Sequence, residues 1–169
     1  ALWYRRSFGL PVAAHGRRVL LHFGAVDQTC RVAVDGVEVG GHSGGYLPFS
    51  FDITSALGAG EVHDLVVAVR DVTDTSWLAR GKQSSRPGGI WYTPQSGIWQ
   101  TVWLEVVPTV AVDALDLVPD LAAGAVVVTV RSDHAPSGAT ATITLAAGGE
   151  QVAEATVPVG MPTPVTVPQ

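Results

Sequence analysis

Short runs of strand-forming residues, separated by glycine and proline, recur along almost the whole of this 169-residue sequence. Residues 17–23 and 29–35 are rich in aliphatic and β-branched side chains, and Asp35-Gly36 supplies the positive φ angles that a two-residue hairpin turn requires. Residues 49–53 alternate apolar and polar side chains, as a half-buried strand does. Because this pattern has a period of two, it predicts packed β-sheets.

The same reasoning divides the rest of the chain into strands and connections. Further strands are predicted at 63–71, 99–107, 110–118, 125–131, 139–147 and 151–157, with another beginning at 162. The glycine pairs Gly40-Gly41 and Gly44-Gly45 predict an irregular loop, and 54–60 predicts at most one helical turn. Residues 72–98 have no strand periodicity, and a loop of that length in a compact domain is usually functional.

The composition changes near Pro108. All twelve aromatic residues lie at or before Trp103, so Val, Ala, Leu and Thr must fill any later core. Nine basic residues balance nine acidic ones up to Pro108, whereas from Thr109 onward Arg131 stands alone against six carboxylates. We therefore predict two domains, 1–108 and 109–169. A complete immunoglobulin-like sandwich needs about seven strands, so the second domain is expected to be truncated.

Charge and composition exclude several classes of function. An acidic chain without a basic stripe is not expected to bind nucleic acid, and no apolar run approaches the ~20 residues that span a bilayer. Cys30 is the only cysteine and is predicted to be a buried core thiol. Asp71 and Asp74 are too few for a calcium site and are better explained as turn caps, so neither metal nor cofactor is predicted.

Several longer motifs occur in a fixed order. They are WYRRSF at 3–8, LHFGAVD at 21–27, VDGVEVG at 34–40, PFSFDIT at 48–54, LVVAV at 65–69 and SGIWQTVWL at 96–104. In this order, residues 2–108 resemble the N-terminal sugar-binding domain of glycoside hydrolase family 2, which includes β-galactosidases, β-glucuronidases and β-mannosidases. Residues 109–169 more weakly resemble the immunoglobulin-like second domain of that family.

The resemblance implies an all-β fold and a longer parent protein. The expected fold is a jelly-roll (galactose-binding-like) β-sandwich followed by a partial immunoglobulin-like β-sandwich, and in the family a (β/α)8 barrel follows. Family members hydrolyse O-glycosidic bonds with retention, using two barrel glutamates about 5 Å apart. The glutamates of this chain lie in predicted strands and turns, so we expect no catalytic residue here. Family precedent makes a homo-oligomeric parent possible, and its location stays open, with the cytoplasm favoured.

The candidate site lies in the long loop. In several family members an aspartate five residues before Ser-Gly-Ile reaches the sugar site of the barrel, and Trp91 stands at that position here. Because a pyranose presents apolar C–H faces, Trp91 and Tyr92 could line a sugar subsite by stacking. Arg80, Lys82 and Gln83 could reach an acidic or hydroxylated substrate. Alternatively, Trp91 packs the loop onto the sandwich, and the charged residues are solvated or pair with the barrel.

Three hypotheses of function follow. The first is a non-catalytic region of a family 2 glycoside hydrolase that lends its loop to the active site of the absent barrel, with a carbohydrate as substrate. The second is an autonomous carbohydrate-binding module that uses Trp91, Tyr92 and Trp77. The third is a β-sandwich interaction module without a sugar role. Trp99 and Trp103 are interpreted as residues of strand packing and domain contact.

Overall fold

The computed structural model describes residues 1–168, and almost all of its regular structure is β-strand. The chain divides into two compact units, Ala1–Val107 and Pro108–Gln169. The strands of the first unit are β1 (Leu2–Gly9), β2 (Arg18–Phe23), β3 (Val26–Asp27), β4 (Thr29–Val34), β5 (Val37–Ser43), β6 (Phe49–Asp52), β7 (Val62–Arg70), β8 (Gly97–Ile98) and β9 (Val102–Val107). Single 3-10 turns occupy Val12–Ala14 and Thr54–Ala56. The all-β prediction is confirmed.

Two larger antiparallel sheets and one short strand pair form the first unit. The larger sheet has the order β1-β7-β4-β5, the smaller one has the order β6-β2-β9, and β3 pairs with β8. Every second side chain of β2 is buried, so that Val19, Leu21 and Phe23 enter the core together with Val32 and Val34 of β4. This alternation is the one that the sequence displays, because a strand presents successive side chains to opposite faces.

Two local predictions in the first unit are confirmed. Asp35 and Gly36 have φ angles of 49° and 80°, and they connect β4 to β5 through the predicted two-residue turn. Cys30 is buried in the core. Burial raises the pKa of its thiol, which keeps the less reactive protonated form.

The prediction of an irregular loop at Gly40-Gly41 is wrong. Both glycines belong to β5, which pairs with β4 across a bulge. A Cβ atom at Gly40 would lie 2.4 Å from Cε1 of Phe51, so this glycine permits β5 to approach an aromatic ring of β6. Close packing, rather than flexibility, therefore explains the residue.

The second unit contains five strands within the described residues. They are β10 (Ala114–Asp120), β11 (Ala125–Arg131), β12 (Thr140–Ala147), β13 (Glu150–Pro158) and β14 (Thr163–Thr166). β10, β11 and β14 form one antiparallel sheet, and β12 and β13 form another. Val128, Val130, Val157 and Val165 make its buried core, in keeping with the small side chains that the composition provides. Across residues 1–168, no helix has the length and apolarity to cross a membrane.

Candidate functional site

The long loop, residues 71–96, leaves β7 and returns to β8, and Asp71 joins its two ends. One oxygen of the Asp71 carboxylate accepts a hydrogen bond of 2.6 Å from the Thr73 N–H, which makes the predicted turn cap. The other oxygen accepts a hydrogen bond of 2.6 Å from the hydroxyl of Ser96. The loop therefore begins and ends at one carboxylate.

A second carboxylate folds the middle of the loop back on itself. Oδ2 of Asp74 accepts hydrogen bonds from the Ser85 N–H at 3.0 Å, the Ser85 hydroxyl at 3.1 Å and the Ser84 hydroxyl at 3.0 Å. The hydrogen bond from the Ser85 backbone, followed by those from the two hydroxyls, lowers the pKa of Asp74, so the carboxylate stays ionised at neutral pH.

Removing this carboxylate should loosen the loop. We expect Asp74→Ala to accelerate trypsin cleavage after Arg80 and Lys82 by about tenfold, because local opening is then less costly. Timed digestion followed by mass spectrometry would measure the rates. Asp120→Ala is the matched control, since it removes a carboxylate that accepts a backbone N–H, that of Ala123, in the second unit. Equal cleavage of the two variants would contradict this role of Asp74.

Gln83 attaches the loop to a buried carboxylate of the sandwich. Its Nε2 donates to Oδ2 of Asp27 at 3.3 Å, and its Oε1 accepts a hydrogen bond from the Gln95 N–H. Asp27 is 9% exposed, and burial raises its pKa, with the hydrogen bond from Gln83 acting in the opposite direction and the charge of Asp71 adding to the rise. The side chain of Gln83, which was predicted to bind sugar, is thus engaged by Asp27 of the sandwich and by the Gln95 backbone.

The contribution of Asp27 was not predicted from the sequence. A signal was available, because Asp27 and Gln28 are a polar pair directly after the apolar Ala25 and Val26, and all four residues are buried. Polar side chains in such a position need internal partners. Gln28 has its partner in Ser76, whose hydroxyl donates to Oε1 at 3.5 Å.

The tip of the loop carries the two candidate aromatic residues. Gly88 and Trp91 exchange backbone hydrogen bonds of 2.9 and 3.1 Å, which close a tight turn. Directly after it, the Tyr92 N–H donates to the Lys82 carbonyl at 2.8 Å, and the Ser84 N–H donates to the Tyr92 carbonyl at 3.1 Å. The backbone of the tip is therefore held by hydrogen bonds to the preceding limb of the loop.

Among the five candidates, the structure places the Arg80 side chain beside the Trp91 ring and the Gln83 backbone. The Arg80 Cζ lies 5.9 Å from the centroid of the Trp91 ring, and Arg80 Nε donates to the Gln83 carbonyl at 3.2 Å. The side chains of Lys82, Trp91 and Tyr92 are exposed, and the relative exposures of the two aromatic residues are 40% and 66%. The contacts of Trp91 with Arg80 and Gly88 lie within the loop, so the alternative that Trp91 packs the loop onto the sandwich stays a prediction.

These side chains suit binding rather than catalysis. An indole and a phenol can stack on the apolar face of a sugar, and a guanidinium and an ammonium can donate hydrogen bonds to its oxygens. None of the four is a carboxylate with which to cleave a glycosidic bond. Among residues 1–168, no three His, Cys, Asp or Glu side chains are grouped so that they could hold a metal ion.

Trp99 and Trp103 make packing contacts, as predicted. Trp99 Nε1 donates to the Gly45 carbonyl at 2.8 Å, and the ring of Trp103 stacks on that of His22 with centroids 4.8 Å apart. Val102 and Leu104, on the opposite face of β9 from Trp103, pack against the core. These two tryptophans therefore belong to the sandwich, whereas Trp91 belongs to the loop.

A polar group on the outer face of the smaller sheet was also missed. Nδ1 of His22 lies 2.6 Å from the Ser50 hydroxyl oxygen, and Nε2 lies 3.1 Å from Oε2 of Glu105. His22 and Ser50 are cross-strand neighbours, and Glu105 lies in β9 on the other side of β2. The imidazole thus connects β2 to both neighbouring strands, β6 and β9, through side chains on the same face of the sheet.

The architecture is that of an all-β protein built from β-sandwich units, and comparison with known proteins agrees with it. The family model described as the sugar-binding domain of glycosyl hydrolases family 2 matches residues 1–108. The chain therefore belongs to glycoside hydrolase family 2 and contains the sugar-binding domain of that family.

Individual relatives have names from the same family. A β-galactosidase of Thermoanaerobacter pseudethanolicus is 34% identical over 106 residues, which are 62% of this chain and 13% of that protein. A β-glucuronidase of Paenibacillus borealis is 35% identical over 81 residues, 48% of this chain and 14% of that protein. The solved structure of a Faecalibacterium prausnitzii β-glucuronidase aligns with a TM-score of 0.70 and 25% identity, covering 99% of this chain and 31% of the other. The chain thus spans less than a third of each of these relatives.

Proposed function

We propose that this chain is the non-catalytic N-terminal region of a retaining β-glycosidase and that the tip of its long loop forms part of the sugar site of a (β/α)8 barrel. The observation that carries the proposal is the exposure of Trp91 and Tyr92 on a loop whose backbone is fixed by hydrogen bonds. A fixed loop positions binding groups without the entropic cost of ordering them.

Within this proposal the five candidate residues have different roles. Trp91 and Tyr92 stack on the sugar, and Lys82 donates a hydrogen bond to a hydroxyl or carboxylate of the substrate. Arg80 supports the Trp91 ring from beside it, and Gln83 positions the loop through Asp27. The relatives named as β-galactosidases and β-glucuronidases make a β-galactoside or a β-glucuronide the substrate to test first.

The test is kinetic and uses the parent protein, meaning the complete reading frame that contains residues 1–169. With p-nitrophenyl β-galactoside and β-glucuronide as substrates, Trp91→Ala should lower kcat/KM by about tenfold, because one stacking contact with the sugar is lost. Trp77→Ala is the matched control, since Trp77 lies in the same loop and is 92% exposed. It should leave kcat/KM unchanged.

Three results would overturn the proposal. If Trp91→Ala has the kcat/KM of the unsubstituted protein, the tip of the loop does not take part in the sugar site. If residues 1–169 alone bind these sugars in calorimetry as tightly as the parent protein does, the chain is an autonomous carbohydrate-binding module. A parent protein that hydrolyses neither substrate, nor other β-glycosides, would exclude the glycosidase itself.

A further inference from the structure

The two sheets of the first unit meet along one flank and are separate along the other. On the closed flank, Gly40 of β5 lies against the ring of Phe51 in β6. On the other flank, which we call the open flank, β1 and β9 are the outermost strands of the larger and smaller sheets. A crevice of about 610 Å³ lies between them.

The walls of the crevice are core residues that lack a complete cover. Leu21, Phe23 and Val67 at its base are at most 1% exposed. Phe8 and Leu104, which belong to the two outermost strands, are only half-buried although they point towards the same core. Apolar side chains that face a core but stay partly exposed indicate a missing layer of protein.

The backbone of the open flank is also incomplete. β9 pairs with β2 on one side, and none of the other described strands pairs with its outer edge. In an antiparallel sheet, alternate N–H and C=O groups of an outermost strand point away from the sheet. Such an edge, beside an apolar crevice, is suited to the addition of another strand.

Arg6 places a positive charge in the crevice. It lines the crevice, and among residues 1–168 its guanidinium has no hydrogen bond or ion pair, whereas the neighbouring Arg5 pairs with Asp64 at 3.0 Å. A guanidinium at the mouth of an apolar crevice favours an occupant that brings a carboxylate.

We propose that a β-strand from a part of the parent protein outside residues 1–169 pairs with the outer edge of β9 and covers the crevice. The strand has about six residues, matching Val102–Val107, which is roughly 20 Å of extended chain. Its alternate side chains are apolar and enter the crevice, and an acidic side chain meets Arg6. About two thirds of the F. prausnitzii chain have no counterpart here, so a related parent has ample polypeptide for this strand.

Site-specific photo-cross-linking of the parent protein tests the proposal. Arg6 is replaced by p-benzoylphenylalanine, and the cross-linked peptides are identified by mass spectrometry. The expected product joins position 6 to an extended segment outside residues 1–169 of the same chain. Trp3 replaced in the same way is the matched control, because it lies on β1 with the opposite parity and is exposed. It should not form that product.

Hydrogen exchange of the unsubstituted parent protein gives a second readout. All the β9 amides should be protected, with those on the outer edge slowed by about 100-fold or more relative to a free edge. Rapid exchange of every second β9 amide would overturn the proposal, as would a cross-link between two copies of the chain. Like the proposed function, this proposal assumes a longer parent protein, but it does not depend on sugar binding. Loss of hydrolysis and loss of the cross-link are therefore separate results.

Discussion

Replacing Gly97 by alanine is expected to lower the free energy of unfolding of the first unit by about 3 kcal/mol. Gly97 is buried, has a φ of 114°, and connects the long loop to β8. A Cβ atom there would lie 2.1 Å from the hydroxyl oxygen of Tyr4, far inside van der Waals contact. The substitution thus combines backbone strain with a steric clash, and urea denaturation followed by tryptophan fluorescence would measure the loss.

Two further variants separate the clash from the strain. Gly16 has a φ of 71° and no atom within 4 Å of its Cβ position, so Gly16→Ala should cost only about 1 kcal/mol. Tyr4→Phe in the Gly97→Ala background removes the clashing oxygen and should restore part of the lost stability, a coupling that a double-mutant cycle measures. If Tyr4→Phe restores nothing, the contact with Tyr4 is not the reason for glycine at this position.

The fold could be predicted wherever neighbouring residues decide the structure. Period-two alternation located β2 and β4, and Asp35-Gly36 located the hairpin, because both signals are local. Gly40 was misassigned because the ring that requires a glycine there belongs to Phe51, eleven residues later and in the other sheet.

Strand boundaries in the second unit show the same limitation. The Val-rich segment 110–118 predicted a strand, but β10 covers Ala114–Asp120 because its pairing with β11 runs from Ala114 opposite Arg131 to Asp120 opposite Ala125. It includes Pro119, which an outermost strand tolerates since its free side needs no N–H donor.

The candidate site was predictable in its position but not in its internal contacts. The absence of periodicity and the aromatic pair Trp91-Tyr92 located the loop and its tip. The role of Gln83 could not be read from the sequence, because its partner Asp27 is 56 positions away. A glutamine directly after Lys82 suggests a surface donor, and only the fold shows that it attaches the loop to the sandwich.

The second large effect is expected at Asp35, where asparagine should lower the free energy of unfolding by about 2 kcal/mol at pH 7. The carboxylate accepts hydrogen bonds from the N–H groups of Gly58 at 3.0 Å and Asp64 at 2.7 Å, and from Nδ1 of the buried His63 at 2.7 Å. Asparagine tolerates the positive φ of this turn, but it has one acceptor oxygen for donors that approach two.

The pH dependence of this effect follows from the pKa of Asp35. The hydrogen bonds from Gly58, His63 and Asp64, in that order, lower this pKa to about 2. In the unfolded chain an aspartate has a pKa of about 3.9, so the folded state favours the ionised form. The stabilisation is fully present above the unfolded value and is lost as the pH falls from about 5 towards 2.

Urea denaturation of the chain and of Asp35→Asn between pH 7 and pH 2.5 would test this. The difference in stability between the two proteins should shrink steadily below about pH 5. Asp64→Asn is the matched control, because Asp64 lies on β7 and its carboxylate pairs with the exposed Arg5, an interaction worth less than about 1 kcal/mol. A difference at Asp35 that does not change with pH would show that the shape of the side chain, and not its charge, stabilises the hairpin.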